Sequence, residues 1–473
     1  MAYRIAGSAV IGTRSDAETP TGAVDTTIER WTVAGPSGAT TDVTTTSYTR
    51  PDAGPGQRPV IVAFNGGPGS SSGFLGSGLL APLRIDLPEP TKPPVHGPFT
   101  LVDNHESLLA EADVVLVDPP GTGMNRVEDS AVADFLGLNQ DADTALVVIR
   151  AWLQGHSRDG ASTYLLGESF GAVRVAAILS RALGGPTRVG EMHGMSFAGA
   201  IILGGSFDMS AAFFGENQFI YAFTAQAATA WHHKKAGQDT TLSHHLKAAD
   251  EFAVNEMPSL LYKGQRLSPG ERQTAAAAMS GFIGLSPEVI LDKNFRIDAG
   301  FYAGELLSAN GQTVGAYDAR FVAPAYNRTP FGPPADPVAD DSAMGQYSPA
   351  FAWASRELLR RAGVEDLSDY RLIDFATVNG RFDWGHGAGK MFPVSTMAPL
   401  RRAMDIDPTF RLFVAAGLYD LVTPIGSASY AIAQITDDPK RAILRSYESG
   451  HMPYIGDDAR EELARDLRDF LEG

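Results

Sequence analysis

Gly167-Glu168-Ser169-Phe170-Gly171 narrows the fold more than any other stretch of this chain. The β-prone run Ser162-Thr163-Tyr164-Leu165-Leu166 leads into it, and Ala172 to Leu179 continues at helical spacing without a breaker. A serine between a strand and a helix, with glycine two residues away on each side, demands a tight turn. Larger side chains at those glycines would strike the neighbouring backbone. The turn holds the Ser169 hydroxyl clear of the sheet at a helix N-terminus, where backbone N–H groups favour developing negative charge. In a chain with 50 glycines the pentapeptide alone says little, and its strand–turn–helix setting is what gives it weight.

Other short apolar runs repeat the strand signal: Val60 to Phe64, Asp113 to Val117, Ala200 to Leu203 and Arg411 to Ala415, with Ala442 to Tyr447 near the end. They are bounded by Gly and Pro and alternate with helical segments at Asp141 to Gln154, Phe170 to Leu183 and Asp457 to Leu471. That pattern predicts a mostly parallel sheet covered by helices on both faces. Thr26 to Val33 and Thr41 to Thr49, separated by Gly35-Pro36-Ser37-Gly38, predict a hairpin. Residues before about 24 read as a loose arm or an edge. From Met209 to Arg402 the rhythm breaks into helical patches (Ala211 to Trp231, Thr274 to Met279, Phe351 to Ala362) and a Pro-rich loop, Phe331 to Pro337. The expected organisation is a core over 1–208, a largely helical cap over 209–402, and the rest of the core over 403–473.

A serine hydroxyl is a weak nucleophile at its own pKa, so Ser169 needs a base, and the base needs an orienting carboxylate. Ala416-Gly417-Leu418-Tyr419-Asp420 and Gly450-His451-Met452-Pro453 each follow a predicted strand, at the strand ends where parallel sheets place their active sites. The order Ser…Asp…His is that of the α/β-hydrolase fold. In this reading His451 takes the Ser169 proton, and Asp420 fixes its tautomer and stabilises the imidazolium. An oxyanion needs backbone donors. Asn65 to Ser72, directly after the Val60 to Phe64 strand, supplies glycines that let the main chain approach a substrate; the second donor is the residue after the nucleophile, Phe170.

Composition removes other chemistries. With no cysteine, disulfides, Cys-ligated zinc, iron–sulfur clusters and a thiol nucleophile are excluded. No metal or organic cofactor is expected. His232-His233 and His244-His245 lack a metal-ligand pattern, and Pro119 to Gly123 has Met124 where a phosphate loop needs lysine. The net charge of −17 and the lack of a basic tract argue against nucleic-acid and anionic-membrane partners. The first ten residues lack the long apolar stretch of a signal peptide, so the expectation is a cytoplasmic protein, with secretion left open if a leader precedes position 1. Phe213, Phe214 and Phe219, at helical spacing, read as core.

Five blocks resemble the serine carboxypeptidases of the α/β-hydrolase superfamily: Asn65 to Ser72, Val117 to Gly123, Gly167 to Gly171, Gly417 to Asp420, and Gly450 to Pro453. They stand in the family's order across most of the chain outside the cap, and the wording around Asp103-Asn104 and Leu108-Leu109 is most similar to bacterial members. The resemblance implies removal of C-terminal residues from peptides through an acyl-enzyme on Ser169. It also implies an oxyanion hole at Gly67 and Phe170, and binding of the substrate's terminal carboxylate by Asn65 and Glu168. The chain departs from the family at Ala63 (tryptophan there), Ser70 (cysteine there) and Leu79, where the second carboxylate-binding glutamate falls. An esterase, amidase or acyltransferase using the same three residues on a small acyl substrate therefore stays open, and more remotely a binding protein without turnover. A buried Glu168 facing a carboxylate should have a raised pKa from desolvation and like-charge repulsion, making peptide binding strongest at acidic pH.

Overall fold

The computed structural model describes residues 3–473 apart from 52–53, 55, 57, 94, 183–193, 210–214, 326–337, 339 and 386–394. The Pro-rich loop Phe331 to Pro337, together with Phe213 and Phe214, lies outside the described residues. Strands β1 (Arg4–Ala17), β2 (Val24–Ala34), β3 (Thr40–Thr49), β4 (Val60–Phe64), β5 (Asp113–Asp118), β6 (Thr163–Glu168), β7 (Gly199–Leu203), β8 (Arg411–Gly417) and β9 (Ala442–Tyr447) form one sheet. Its order is β1-β2-β3-β5-β4-β6-β7-β8-β9. The pairings from β1 through β3 to β5 are antiparallel, and all those from β5 to β9 are parallel. The leading segment takes the edge of its two alternatives. It pairs along β2 with bulges between Ile5 and Gly7, Val10 and Gly12, and Arg14 and Ala17.

The unbroken apolar runs are explained by burial on both faces. Within β4, Val60, Val62 and Phe64 point to one cluster with Val115, Leu165, Ile202 and Val414, while Ile61 and Ala63 point to the other with Val114, Leu166, Ile201 and Phe413. Each Val, Leu, Ile or Phe side chain among them fully withdrawn from water contributes about 1.5–3 kcal/mol, which favours a register that keeps both sets covered. Helices α1 (Leu138–Gly155) and α2 (Gly171–Ala182) cover the first face through Leu146, Ile149, Trp152, Val175 and Ile178. The C-terminal helix Asp457–Glu472 covers the second through Leu463, Leu467 and Phe470.

Between β7 and β8 the chain folds mainly as helices, including Asn217–His232, Leu242–Asn255, Pro269–Ile283 and Met344–Arg361. The first three share a cluster with Leu418, Tyr419 and Leu421 just past β8, and Phe219 packs against it, half-buried. Tyr347 and Phe351 of the fourth pack instead among the side chains of the second sheet face. Asn65, Ser169, Asp420 and His451 all follow the C-terminal ends of parallel strands (β4, β6, β8 and β9), so the sheet delivers them to one rim.

Candidate active site

Ser169 has φ of +59°, a left-handed conformation that costs a non-glycine residue about 1–3 kcal/mol and is kept only where the surroundings enforce it. The flanking glycines do so. A Cβ at Gly167 would run into the Gly171 carbonyl, and one at Gly171 would lie 2.8 Å from the Phe64 carbonyl oxygen. The Ser169 N–H donates to the Leu203 carbonyl (3.0 Å) at the end of β7, while its own carbonyl accepts from Ala172 N–H (3.0 Å) as α2 begins. Ser169 is half-buried, and its hydroxyl makes no hydrogen bond among the described residues.

The Asn65 to Ser72 loop is held against this turn. A Cβ on Gly66 would sit 2.6 Å from the Ser169 Cβ, so only glycine permits the approach. Asn65 Oδ1 accepts from Leu75 N–H (3.0 Å), and its carbonyl accepts from Arg174 Nη1 (2.9 Å). Arg174 is buried on α2 and held by Asp141 (2.6 Å), with its guanidinium against the rings of Phe64 and Phe170. Ser72 N–H donates to Asp118 (2.7 Å), the aspartate of the Val117 to Gly123 block. Desolvation raises Asp118 to about 6 even though that N–H lowers it. On the other side Asp374 N–H donates to the Gly69 carbonyl (2.8 Å), and Phe382 and Trp384 stand edge-on to Phe170 at 5.5 and 5.2 Å. Gly67 has φ of +110°. Neither the Gly67 N–H nor the Phe170 N–H has an acceptor among the described residues, so both backbone donors are free to receive an oxyanion.

Asp420 and His451 meet directly. His451 Nδ1 lies 2.8 Å from Asp420 Oδ2, with both residues buried. Asp420 Oδ1 accepts from the Val422 and Thr423 N–H groups (2.8 and 3.0 Å), so the backbone turn orients the carboxylate. Burial pushes the imidazole pKa down, but the Asp420 carboxylate, followed by Glu168 and Asp341, holds it above its ordinary value. Gly204, next to the Leu203 that binds the Ser169 N–H, packs on the His451 carbonyl. Serine and histidine therefore share one rim, although no hydrogen bond joins Ser169 to His451 among the described residues. Thr423 went unnoticed in the sequence. Its hydroxyl donates to Asp420 Oδ2, lies 3.0 Å from His451 Nδ1, and has the Gly204 carbonyl 2.8 Å away as an alternative acceptor. A hydrogen bond to a charged group contributes about 1.5–3 kcal/mol, so Thr423→Val is expected to lower kcat about tenfold. Unchanged steady-state kinetics would show that the hydroxyl does not orient the pair.

Asn65 and Glu168 are also brought together. Asn65 Nδ2 donates to Glu168 Oε1 (2.5 Å), and the Tyr454 hydroxyl donates to Oε2 (2.6 Å). All three residues are buried. Desolvation raises the Glu168 carboxyl to about 7, against the lowering pull of Tyr454, His451 and Asn65. Tyr454 is the second residue the sequence reading missed; burial and the nearby glutamate push its hydroxyl well above its ordinary value, so it stays a donor. Leu79 is fully buried in the second sheet-face cluster, as expected of an apolar residue where the family carries an acid.

The family model described as serine carboxypeptidase matches residues 47–269, a stretch that holds Asn65, Gly67, Glu168, Ser169 and Phe170 and ends before Asp420 and His451. No curated protein sequence matches the chain. Among solved structures, KEX1(delta)P, a prohormone-processing carboxypeptidase from Saccharomyces cerevisiae, is 13% identical with a TM-score of 0.55, and the match covers 94% of this chain and 91% of that one. The peroxisomal alpha-beta-hydrolase Lpx1 of the same yeast is 11% identical (TM-score 0.36, 98% and 88% covered). MenH from S. aureus is 14% identical (TM-score 0.35, 90% and 97% covered). At 13% identity the first likeness speaks for the fold, which is that of the α/β-hydrolases.

Proposed function

We propose, from the premise that this chain is a serine carboxypeptidase-like hydrolase on an α/β-hydrolase fold, that it releases C-terminal residues from peptides through an acyl-enzyme on Ser169. The observation that carries this reading is the strained serine turn at φ +59°, with the Gly67 and Phe170 N–H groups beside it lacking an acceptor among the described residues, on the rim that also holds the Asp420–His451 pair. Ser169 Oγ attacks the scissile carbonyl carbon while His451 Nε2 accepts its proton, and Asp420 keeps the other proton on Nδ1. The carbonyl oxygen, now negative, is received by Gly67 and Phe170 N–H. His451 returns the proton to the leaving amine as the C–N bond breaks, and a water then cleaves the acyl-enzyme by the same route in reverse.

Asn65 and Glu168 would bind the terminal carboxylate, with Glu168 protonated so that it donates rather than repels. Residues 209–402 would form the cap over this rim, with 1–208 and 403–473 as the core. Three features support a second reading as an esterase or amidase: Asn65, Glu168 and Tyr454 already satisfy one another, the group is buried, and Leu79 offers no second acid. Peptides with free and amidated C-termini, digested side by side and read by mass spectrometry, separate the two. The carboxypeptidase reading expects the free acids to be cut about tenfold faster, because an amide leaves a buried acceptor or donor unpaired. Equal rates on both series, or turnover of esters alone, would favour the second reading.

A further inference from the structure

The two loops that carry Asp420 and His451 are laced together by a third segment that belongs to neither. Residues 315–321 connect the short antiparallel strands Gln312–Val314 and Val322–Pro324, far from both loops in sequence. Leu421 N–H donates to the Ala316 carbonyl (2.9 Å), and Ala319 N–H donates to the Tyr419 carbonyl (2.9 Å), gripping the aspartate loop on both sides of Asp420. His451 N–H donates to the Tyr317 carbonyl (2.6 Å), and Arg320 Nη1 donates to the Glu448 carbonyl (2.7 Å), gripping the histidine loop. The segment is itself anchored: buried Asp318 pairs with half-buried Arg320 (2.6 Å), and Ala316 N–H donates to Asp341 (2.6 Å). The fit is close, since a Cβ on Gly450 would lie 2.5 Å from the Tyr317 carbonyl oxygen.

The Tyr317 side chain completes the contact. Its ring stands edge-to-face with the His451 imidazole, 5.1 Å between centroids at 86°. An imidazole tied at Nδ1 to a carboxylate can still rock about that bond, and each rock swings Nε2 away from the line to the serine. Thr423 Oγ1 limits the motion near Nδ1, and the Tyr317 ring walls one flank. Reaction rates fall steeply when a base is free to leave its productive geometry.

We propose that Tyr317 is a positioning residue for His451, its carbonyl fixing the histidine backbone and its ring fixing the imidazole plane. The inserted region thereby sets the reactivity of Ser169. This rests on the reading of Ser169 and His451 as nucleophile and base.

The test compares Tyr317→Phe, Tyr317→Leu and Tyr317→Ala with the parent protein. Four quantities are measured: kcat and KM on a short ester, the rate of Ser169 labelling by an organophosphonate, the far-downfield Nδ1–H proton resonance of His451, and Tm. Tyr317→Phe keeps the ring and is expected to stay within about twofold of the parent in every rate. Tyr317→Ala and Tyr317→Leu are expected to lose about tenfold in kcat and in labelling rate with KM unchanged, and to broaden the downfield resonance. Leucine holds much of the volume, so a folding defect confined to alanine leaves the comparison intact. Parent-like kcat and labelling in Tyr317→Leu would overturn the proposal, as would a phenylalanine variant as impaired as the leucine one. Failure of the parent itself to label at Ser169 would overturn the nucleophile assignment instead.

Discussion

Asp420→Asn is expected to cut kcat about ten-thousand-fold while leaving Tm close to that of the parent. The fold should survive because the backbone holds the side chain: the asparagine oxygen can still accept from the Val422 and Thr423 N–H groups that now bind Asp420 Oδ1. What changes is the group facing His451. An NH2 in place of Oδ2 cannot accept from Nδ1–H, so the imidazole moves its proton to Nε2 and offers a lone pair at Nδ1. With a proton already on Nε2, His451 cannot take one from Ser169. Thr423 softens the structural cost, since its hydroxyl can donate to the Gly204 carbonyl, 2.8 Å away. Ser169→Ala should lose at least as much, because the three side chains act as a unit. Steady-state turnover with phosphonate labelling checks this; an Asp420→Asn variant within about tenfold of the parent would remove Asp420 from the proposed mechanism.

The parts of this molecule legible in the sequence are those fixed by short-range sterics. The Val60 to Phe64 and Ala442 to Tyr447 strands fall on the predicted residues; in the first, a continuous apolar run bounded by turn residues leaves few alternatives. Gly167 is readable because the clash it avoids, with the Gly171 carbonyl, lies within five residues, whereas Gly171 makes room for the Phe64 carbonyl of a distant strand. Other features depend on contacts that no local pattern encodes. Tyr454 reaches Glu168 across 286 residues, Arg174 reaches the Asn65 carbonyl across 109, and Tyr317 meets a histidine loop more than a hundred positions away. The helix Leu242–Asn255 was missed for a different reason. Only His245, Ala249 and Ala253 are fully buried, with Leu242, Leu246 and Phe252 half-buried beside them, so its apolar stripe is broken by polar residues. Helix Ile425–Ile435, mostly small and β-branched residues, gives little helical signal of its own and is held by packing of Ala428, Ala431 and Ile435 beneath the sheet. Of the two causes expected to raise the Glu168 pKa, desolvation and a facing substrate carboxylate, desolvation is the main one at work before any substrate is present.

That glutamate carries the second large prediction. With its carboxyl at about 7, Glu168 is protonated below neutrality and ionised above it. Protonated, it can donate to a substrate carboxylate; ionised and buried, it repels one. KM for a free-acid peptide is therefore expected to rise about fiftyfold between pH 7 and pH 9, the ratio set by the loss of the protonated fraction over that interval. Glu168→Gln should flatten the rise, because its amide stays neutral throughout. Stability carries a separate signature with the same origin. The folded state holds this proton more tightly than the unfolded chain, whose carboxyl titrates near 4.5, so the contribution is full below that pH and is lost as pH rises through 7. The difference is on the order of 3 kcal/mol, and the Tm of Glu168→Gln should gain on that of the parent as pH climbs from 5 to 8. The two readouts separate the roles open to the residue. A Tm gap that widens with pH, beside a parent KM that stays flat from 6 to 9, would leave Glu168 a buried structural acid tied to Asn65 and Tyr454. Carboxylate recognition would then have no proton-dependent donor, and the esterase reading would be the stronger of the two.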